Sequence, residues 1–387
     1  MEKLSLLQLA NNIKDFCKKI DDINSLKNDI YNSNYLKTSD TKIFQMKLPL
    51  GLNFHSEKDQ NFFFGKKPDD FNCNYPLAEA YITAFSNSKL ISKSFILISH
   101  DNYVIKDSYF NDQVLYDTGI FMQNSLGINM GNGNVNIPFV LHKDNQEIKF
   151  IDQEMILIPY HWHFNYHHWI IECLPKLKYI IDSEDFKNCL IILPKNLNKF
   201  QKESMELLQI PESRIFYFDG DPIQVAKIYL PSMGNFSHED ISWLKKSFLK
   251  KLNIQTKPEK LIYISRQDAK QRRIINEKEI FEILKISGFE FYTLSDMSFI
   301  EQIKLFSQAK IIIGSHGAGL TNIIFSGPEA VLIEIIPNDT VNHCFWLLSN
   351  TSGNKYSYLV SDFINTERDI FISPNKLIDF LKKIGIS

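Results

Sequence analysis

The chain alternates between apolar runs of four to six residues and amphipathic stretches of ten or so, and this alternation becomes more regular toward the C-terminus. Leu4, Leu7, Leu9, Ile13, Phe16, Ile20 and Ile23 fall mostly at helical spacing, which predicts one or two helices over 4–31. Between 92 and 158 short strands and turns are expected, with Phe95–Ile98, Tyr103–Ile105 and Met155–Ile158 as the apolar runs and Gly131-Asn132-Gly133-Asn134 as a turn. After Pro175 the spacing predicts strand Leu190–Leu193, a helix near 198–209, and strands Ile215–Phe218 and Ile228–Leu230. Pro231-Ser232-Met233-Gly234 breaks the chain before a helix at about 238–252. A second series follows: strand Leu261–Ile264, helix 276–286, strand Phe289–Tyr292, a helix opening at Ser298, and strands Lys310–Ile313, Val331–Ile336 and Tyr356–Leu359. Ser298 and Glu301 have capping-box spacing. Strands alternating with helices predict parallel sheets covered on both faces, so the fold class is α/β, in two units divided near 234: 1–234 and 235–387. The last helix is expected to pack back on the first unit.

Composition narrows the function classes. The chain has 387 residues, 44% of them hydrophobic, which is enough for sizeable cores. Its formal charge of −2 gives no field suited to nucleic acid as a main partner. Five scattered cysteines without a C-x-x-C pair argue against a disulfide framework or a thiolate zinc knuckle. The first residues lack the layout of a signal peptide, and no apolar run is long enough to span a bilayer, so a cytoplasmic protein is expected.

Three places concentrate chemistry. Gly314-Ser315-His316-Gly317-Ala318-Gly319-Leu320-Thr321-Asn322 follows an apolar strand and opens a helix, a pattern that suits a diphosphate cradle, although it departs from the dinucleotide fingerprint. Glu334 lies within an otherwise apolar strand and needs partners, either the two hydroxyls of a ribose, which we favour, or a buried arginine or backbone amides. Arg266, Lys270, Arg272 and Arg273 cluster after the first strand of the second unit, where cations can neutralise a diphosphate. Of these, Lys270 and Arg272 read as a solvated loop.

The third place is His161 to Pro175, which holds four of the ten histidines. His168 and Glu172 share a helix face and can form a general-base couple, with Asn165 capping the first turn. The spacing offers no HExxH element and no third zinc ligand, so no metal is expected. Trp243, Leu244, Phe248 and Leu252, flanked by four lysines in 242–252, form a basic amphipathic helix that suits peripheral membrane contact, or else ordinary packing beside the linker.

Taken together, Asn165 to Pro175, Tyr263-Ile264-Ser265-Arg266 with Arg273 and Asn276, Met297-Ser298-Phe299 with Gln302, and His316 to Asn322 with Glu334 resemble glycosyltransferase family 61. The resemblance covers about 160–340. It implies a GT-B-type architecture, two Rossmann-like domains facing each other across a cleft. It also implies an inverting, metal-independent transfer from a nucleotide sugar, with uridine the usual nucleoside, to a carbohydrate or lipid-linked acceptor, as in capsular polysaccharide assembly. No cofactor is implied beyond the donor. By the same resemblance, donor binding falls to Arg266, Arg273, Asn276, His316, Gly317, Ala318, Gly319, Leu320, Thr321, Asn322 and Glu334. Asn165, His167 and Trp169 lie on the acceptor side, and Glu172 or His168 is the base. Two other readings stand beside this one, a nucleotide-sugar epimerase or hydrolase, and a non-catalytic binding scaffold.

Overall fold

A computed structural model of the chain describes residues 35–39, 42–66, 72–77, 80–91, 93–100, 105, 108, 148–232 and 236–385. The helices expected over 4–31, the turn at 131–134 and most of Tyr103–Ile105 lie outside the described residues. The strands are Tyr35–Ser39 (β1), Lys42–Gln45 (β2), Asn74–Leu77 (β3), Ala80–Ile91 (β4), Ile96–Ile98 (β5), Lys149–Leu157 (β6), Leu190–Pro194 (β7), Ile215–Phe218 (β8) and Ile223–Pro231 (β9) in the first half. The second half carries Lys260–Ser265 (β10), Phe289–Thr293 (β11), Ala309–Ser315 (β12), Val331–Ile336 (β13), Lys355–Val360 (β14), Phe363–Ile364 (β15) and Ile370–Phe371 (β16).

The second sheet has the order β11-β10-β12-β13-β14 and is parallel throughout. Its inner strands read as largely apolar runs because both faces are covered: Ile262, Ile312 and Leu332 enter one core, and Tyr263, Ile313 and Ile333 the other. In this doubly wound order the chain reverses direction between the first and third strands, β10 and β12, and ligands in such sheets bind outside the carboxyl ends at that reversal. Arg266 directly follows β10, and His316 and Gly317 directly follow β12.

The first sheet departs from the expected parallel pattern. Its order is β1-β4-β9-β6-β7-β8, with β5 also on β4. β6, β7, β8 and β9 run parallel, but β4 is antiparallel to β1, β5 and β9, so the sheet is mixed. What is established is therefore an α/β protein with one parallel and one mixed sheet.

The N-terminal segment does not stay with the first sheet, as a division at 234 would have it. Leu50 N–H donates to Tyr356 O at 2.7 Å, Trp346 Nε1 to Lys47 O at 2.8 Å, and Ser357 Oγ to Leu50 O at 2.7 Å. Phe63 stacks on Tyr358 with ring centroids 3.9 Å apart. The last helix, Pro374–Lys383, buries Leu377, Phe380 and Leu381 in the second unit's own core and meets this crossing segment on its other side, where Lys376 lies 3.7 Å from Asp59.

Helix His238–Lys251 is capped by Ser237 and sits in the seam between the halves. Its Ile241, Leu244 and Phe248 are buried in the common core, and Trp243 and Leu252 pack against that core, so the apolar face expected to meet lipid is already covered by protein. Membrane contact through 242–252 therefore gives way to the packing alternative. No helix among the described residues is long and apolar enough to cross a membrane.

Candidate active site

The histidine-rich segment folds as one continuous helical stretch that changes pitch. An α turn over Tyr166–His168 passes into a wider π turn over Trp169–Cys173 and then a 3-10 segment over Leu174–Tyr179. Asn165 caps it, its side chain accepting from His167 N–H at 2.9 Å. π turns inside helices often mark functional positions, and Glu172 lies in this one.

His168 Nδ1 is 2.6 Å from Glu172 Oε2, and the Tyr160 hydroxyl bonds both His168 Nδ1, at 2.8 Å, and Glu172 Oε2. The three side chains form a His-Glu-Tyr triad in which Glu172 is 3% exposed and His168 28%. Burial pushes the Glu172 carboxyl up to about 8, opposed by the charge of Lys176, and pushes His168 down to about 4. Lys176 is itself buried and donates to Ile158 O at 3.0 Å. Burial raises Tyr75 of β3, and the charge of Glu172 adds to it.

A second His-Glu-Tyr triad stands on the other sheet. His316 Nδ1 bonds Glu334 Oε1, and the Tyr356 hydroxyl donates to Glu334 Oε2 at 2.6 Å. Glu334 is wholly buried, so both its oxygens serve protein partners and the expected ribose contact is replaced by orientation of His316. The pairing alternative thus holds, though with a histidine and a tyrosine in place of an arginine.

The glycine-rich turn is closely packed. A Cβ on Gly317 would fall 1.7 Å from Arg266 Nη1, so the guanidinium lies directly on the Gly317 backbone, and a Cβ on Gly319 would fall 2.7 Å from Leu294 Cδ1. Ala318 and Gly319 remain partly exposed. Leu320, Thr321 and Asn322 are buried, and the side chains of Thr321 and Asn322 brace the turn. Asn322 accepts from Tyr166 Oη at 2.5 Å and donates to Gln302 Oε1 at 2.9 Å and Gly319 O at 3.0 Å. Thr321 Oγ1 is 2.8 Å from His167 Nδ1. The histidine-rich and glycine-rich motifs, some 150 residues apart, are thereby bonded to each other. His167 and His316 both pack on the Phe345 ring, at 5.6 and 5.1 Å between centroids.

Three further expectations are corrected. Trp169 is fully buried and donates to Ser204 Oγ at 2.9 Å, so it cannot meet an acceptor. Arg273 is held by Asp369, with Nε 2.8 Å and Nη2 2.5 Å from Oδ2, and Asn276 Nδ2 donates to Ile372 O at 2.8 Å. Both pin the 270s loop to the segment around β16. Arg272, read from sequence as solvated, is partly buried, and its Nε has no partner. Tyr160 and Tyr356 were also missed, because nothing in an apolar or aromatic run marks which tyrosine will meet a carboxylate.

Trp162 lies nearly parallel to the His168 ring at 6.1 Å, with Phe164 half exposed beside it. Among the described residues no group of three His, Cys, Asp or Glu is placed to hold a metal ion. A cavity of about 560 Å³ lies apart from these motifs, lined by His238, Lys245, Lys246 and Lys250 along the seam helix.

The arrangement defines an α/β protein with its candidate chemistry at the reversal point of a parallel sheet, braced against a histidine-bearing helix. Residues 166–333 match the family described as Glycosyltransferase 61. A beta-1,2-xylosyltransferase of Arabidopsis thaliana is 30% identical over 128 residues, covering 30% of this chain and 24% of the relative. An EGF domain-specific O-linked N-acetylglucosamine transferase of Bos taurus is 30% identical over 100 residues, covering 24% and 19%, and that of Gallus gallus 33% identical over 90 residues, covering 22% and 17%. The chain thus matches about a quarter or less of the length of these relatives.

Proposed function

We propose that the chain is an inverting glycosyltransferase that moves a sugar from a uridine diphosphate donor to a hydroxyl of a glycan or lipid-linked saccharide, its two sheets acting as the halves of a GT-B-type enzyme. One observation carries the reading: a histidine with a buried carboxylate at its back, His168 on Glu172, is bonded through its helix to the glycine-rich turn at the reversal point of the other sheet. The names of the relatives, a xylosyltransferase and N-acetylglucosamine transferases, agree with transfer of a sugar.

In this scheme His168, the more exposed member of its triad, takes the acceptor's proton on Nε2, and Glu172 holds the ring by Nδ1. The acceptor oxygen forms its bond to the anomeric carbon as the bond to the diphosphate oxygen breaks, and the electron pair leaves on the diphosphate. His316 and the guanidinium of Arg266 on Gly317 meet that charge, so no metal is required. Trp162 and Phe164 offer an apolar face for the acceptor's ring.

The test is a thermal-shift panel of nucleotide sugars followed by product analysis with a responsive donor. A donor should raise Tm, and transfer should give inverted product and persist in excess EDTA. No stabilisation by any nucleotide sugar, or release of free sugar unaffected by acceptors, would overturn the reading.

A further inference from the structure

Three arginines, Arg266, Arg272 and Arg273, follow β10 closely in the chain, and the structure divides them. Arg273 is paired with Asp369 through its backbone N–H, at 2.9 Å, and through its guanidinium, at 2.8 and 2.5 Å, so its Nε and Nη2 are engaged. Arg266 lies on Gly317, with its Nε buried and unpartnered and only a long contact of 3.4 Å from Nη2 to Gln271 O. Arg272 likewise has a buried Nε without a partner. Buried guanidinium donors are ordinarily satisfied, so two such atoms on one loop call for an explanation.

The backbone gives a second, independent sign. Arg272 has a φ of 60°, in the left-handed region that a side chain with a Cβ seldom occupies. It is held there from both sides: its N–H donates to Arg368 O at 2.8 Å, and its carbonyl accepts from Ser315 Oγ at 2.8 Å. Ser315 immediately precedes His316, so the strained residue is tied to the strand end that carries the turn. Strain of this kind persists only where surrounding contacts enforce it, and it gathers at ligand sites. Arg273 bonds Asp369, while Arg272 feels the charge of Glu334. Burial and repulsion from Arg272 hold Arg266 below the ordinary arginine range, at about 10, and burial and repulsion from Arg368 lower Arg272 as well. Two desolvated cations that disfavour each other are relieved by an anion between them.

We propose that Arg272 and Arg266 form a two-guanidinium clamp for the donor's diphosphate over Gly317, and that Arg273, its neighbour in sequence, only fastens the loop. This rests on the donor reading above, but its ligand chemistry, a diphosphate anion, can be tested without any sugar transfer.

The probes are inorganic pyrophosphate and uridine diphosphate, titrated calorimetrically into the full chain. The wild type should bind both. Arg272→Gly removes the guanidinium and relieves the left-handed strain at once, so it should fold with undiminished Tm yet bind pyrophosphate at least tenfold more weakly. Arg272→Lys keeps the charge but loses the fork and should fall between. Arg273→Ala should lower Tm and leave pyrophosphate affinity within twofold at a temperature where it is folded. The clamp is overturned if Arg272→Gly binds pyrophosphate like the wild type, if Arg273→Ala loses binding while folded, or if the wild type binds neither probe. If the wild type binds pyrophosphate through Arg272 and no nucleotide sugar stabilises it, the clamp stands and the glycosyl-transfer reading falls.

Discussion

The two His-Glu-Tyr triads use the same three side-chain types in different settings. His168, Glu172 and Tyr160 sit on and before a helical turn, with the histidine 28% exposed, whereas Glu334 and Tyr356 lie on β13 and β14 and His316 directly follows β12, with the histidine 14% exposed and the carboxylate wholly buried. In the first, a single tyrosine hydroxyl touches both partners, so a proton can be shared among three groups. In the second, the carboxylate divides its oxygens, one to each partner, and the Arg272 guanidinium lies in its field. The first arrangement suits a group that gains and loses a proton. The second suits a group that keeps one orientation toward an anion.

The largest expected effect separates these roles. His168→Ala should lower kcat by about 10²–10⁴-fold and leave uridine diphosphate affinity nearly unchanged, because that affinity resides on the other sheet. Glu172→Gln, which keeps the shape but weakens the hold on Nδ1, should lower kcat less. His316→Ala should do the reverse and weaken diphosphate affinity by about tenfold, or about 1.4 kcal/mol. Steady-state kinetics with a verified acceptor, paired with calorimetry, decides. A larger loss of kcat for Glu172→Gln than for His168→Ala would make the carboxylate the base.

A smaller effect concerns pH. Burial raises Glu172 to about 8 and lowers His168 to about 4, so near neutrality the pair is uncharged and holds one proton too many to act as a base through Nε2. Ionisation of Glu172 turns Nδ1–H toward the carboxylate and frees Nε2. The rate should therefore climb as pH rises toward about 8 and level off above it, and Glu172→Gln should flatten that climb. A wild-type profile that is flat or falling between about pH 6 and 8 would remove the triad from proton transfer.

How far the sequence reveals this depends on the kind of interaction. The inner strands of the second sheet are readable because they are largely apolar runs covered on both faces, and the capping box at Ser298 and Glu301 forms as its spacing predicts. β4 is not readable, since Ser86-Asn87-Ser88-Lys89 interrupts its apolar pattern, and with it the antiparallel half of the first sheet is missed. The motifs locate the candidate site but do not sort its members. Thr321, Asn322, Tyr166 and Gln302 are polar residues within ligand-like motifs, and they brace one motif against another. Arg272 and Arg273 are identical and adjacent, so only the left-handed turn between them tells which faces Asp369.

The smallest effect tests whether the tyrosines differ as their histidines do. Tyr356 is the hydroxyl partner of Glu334 Oε2, deep in the second sheet, and Tyr356→Phe leaves that oxygen buried without this donor. An unsatisfied buried acceptor costs roughly 1–3 kcal/mol. Tyr160→Phe removes a donor from Glu172 Oε2, but His168 Nδ1 still reaches the same oxygen at 2.6 Å. Its cost should be that of one replaceable hydrogen bond, about 1 kcal/mol. Urea unfolding of the two variants should therefore rank Tyr356→Phe as the less stable. The kinetic ranking should be opposite, since only Tyr160 touches the group proposed to move the proton. If Tyr160→Phe is the more destabilised and Tyr356→Phe the slower enzyme, the proton-transfer role belongs to the triad on the second sheet and the anchoring role to the one on the helix.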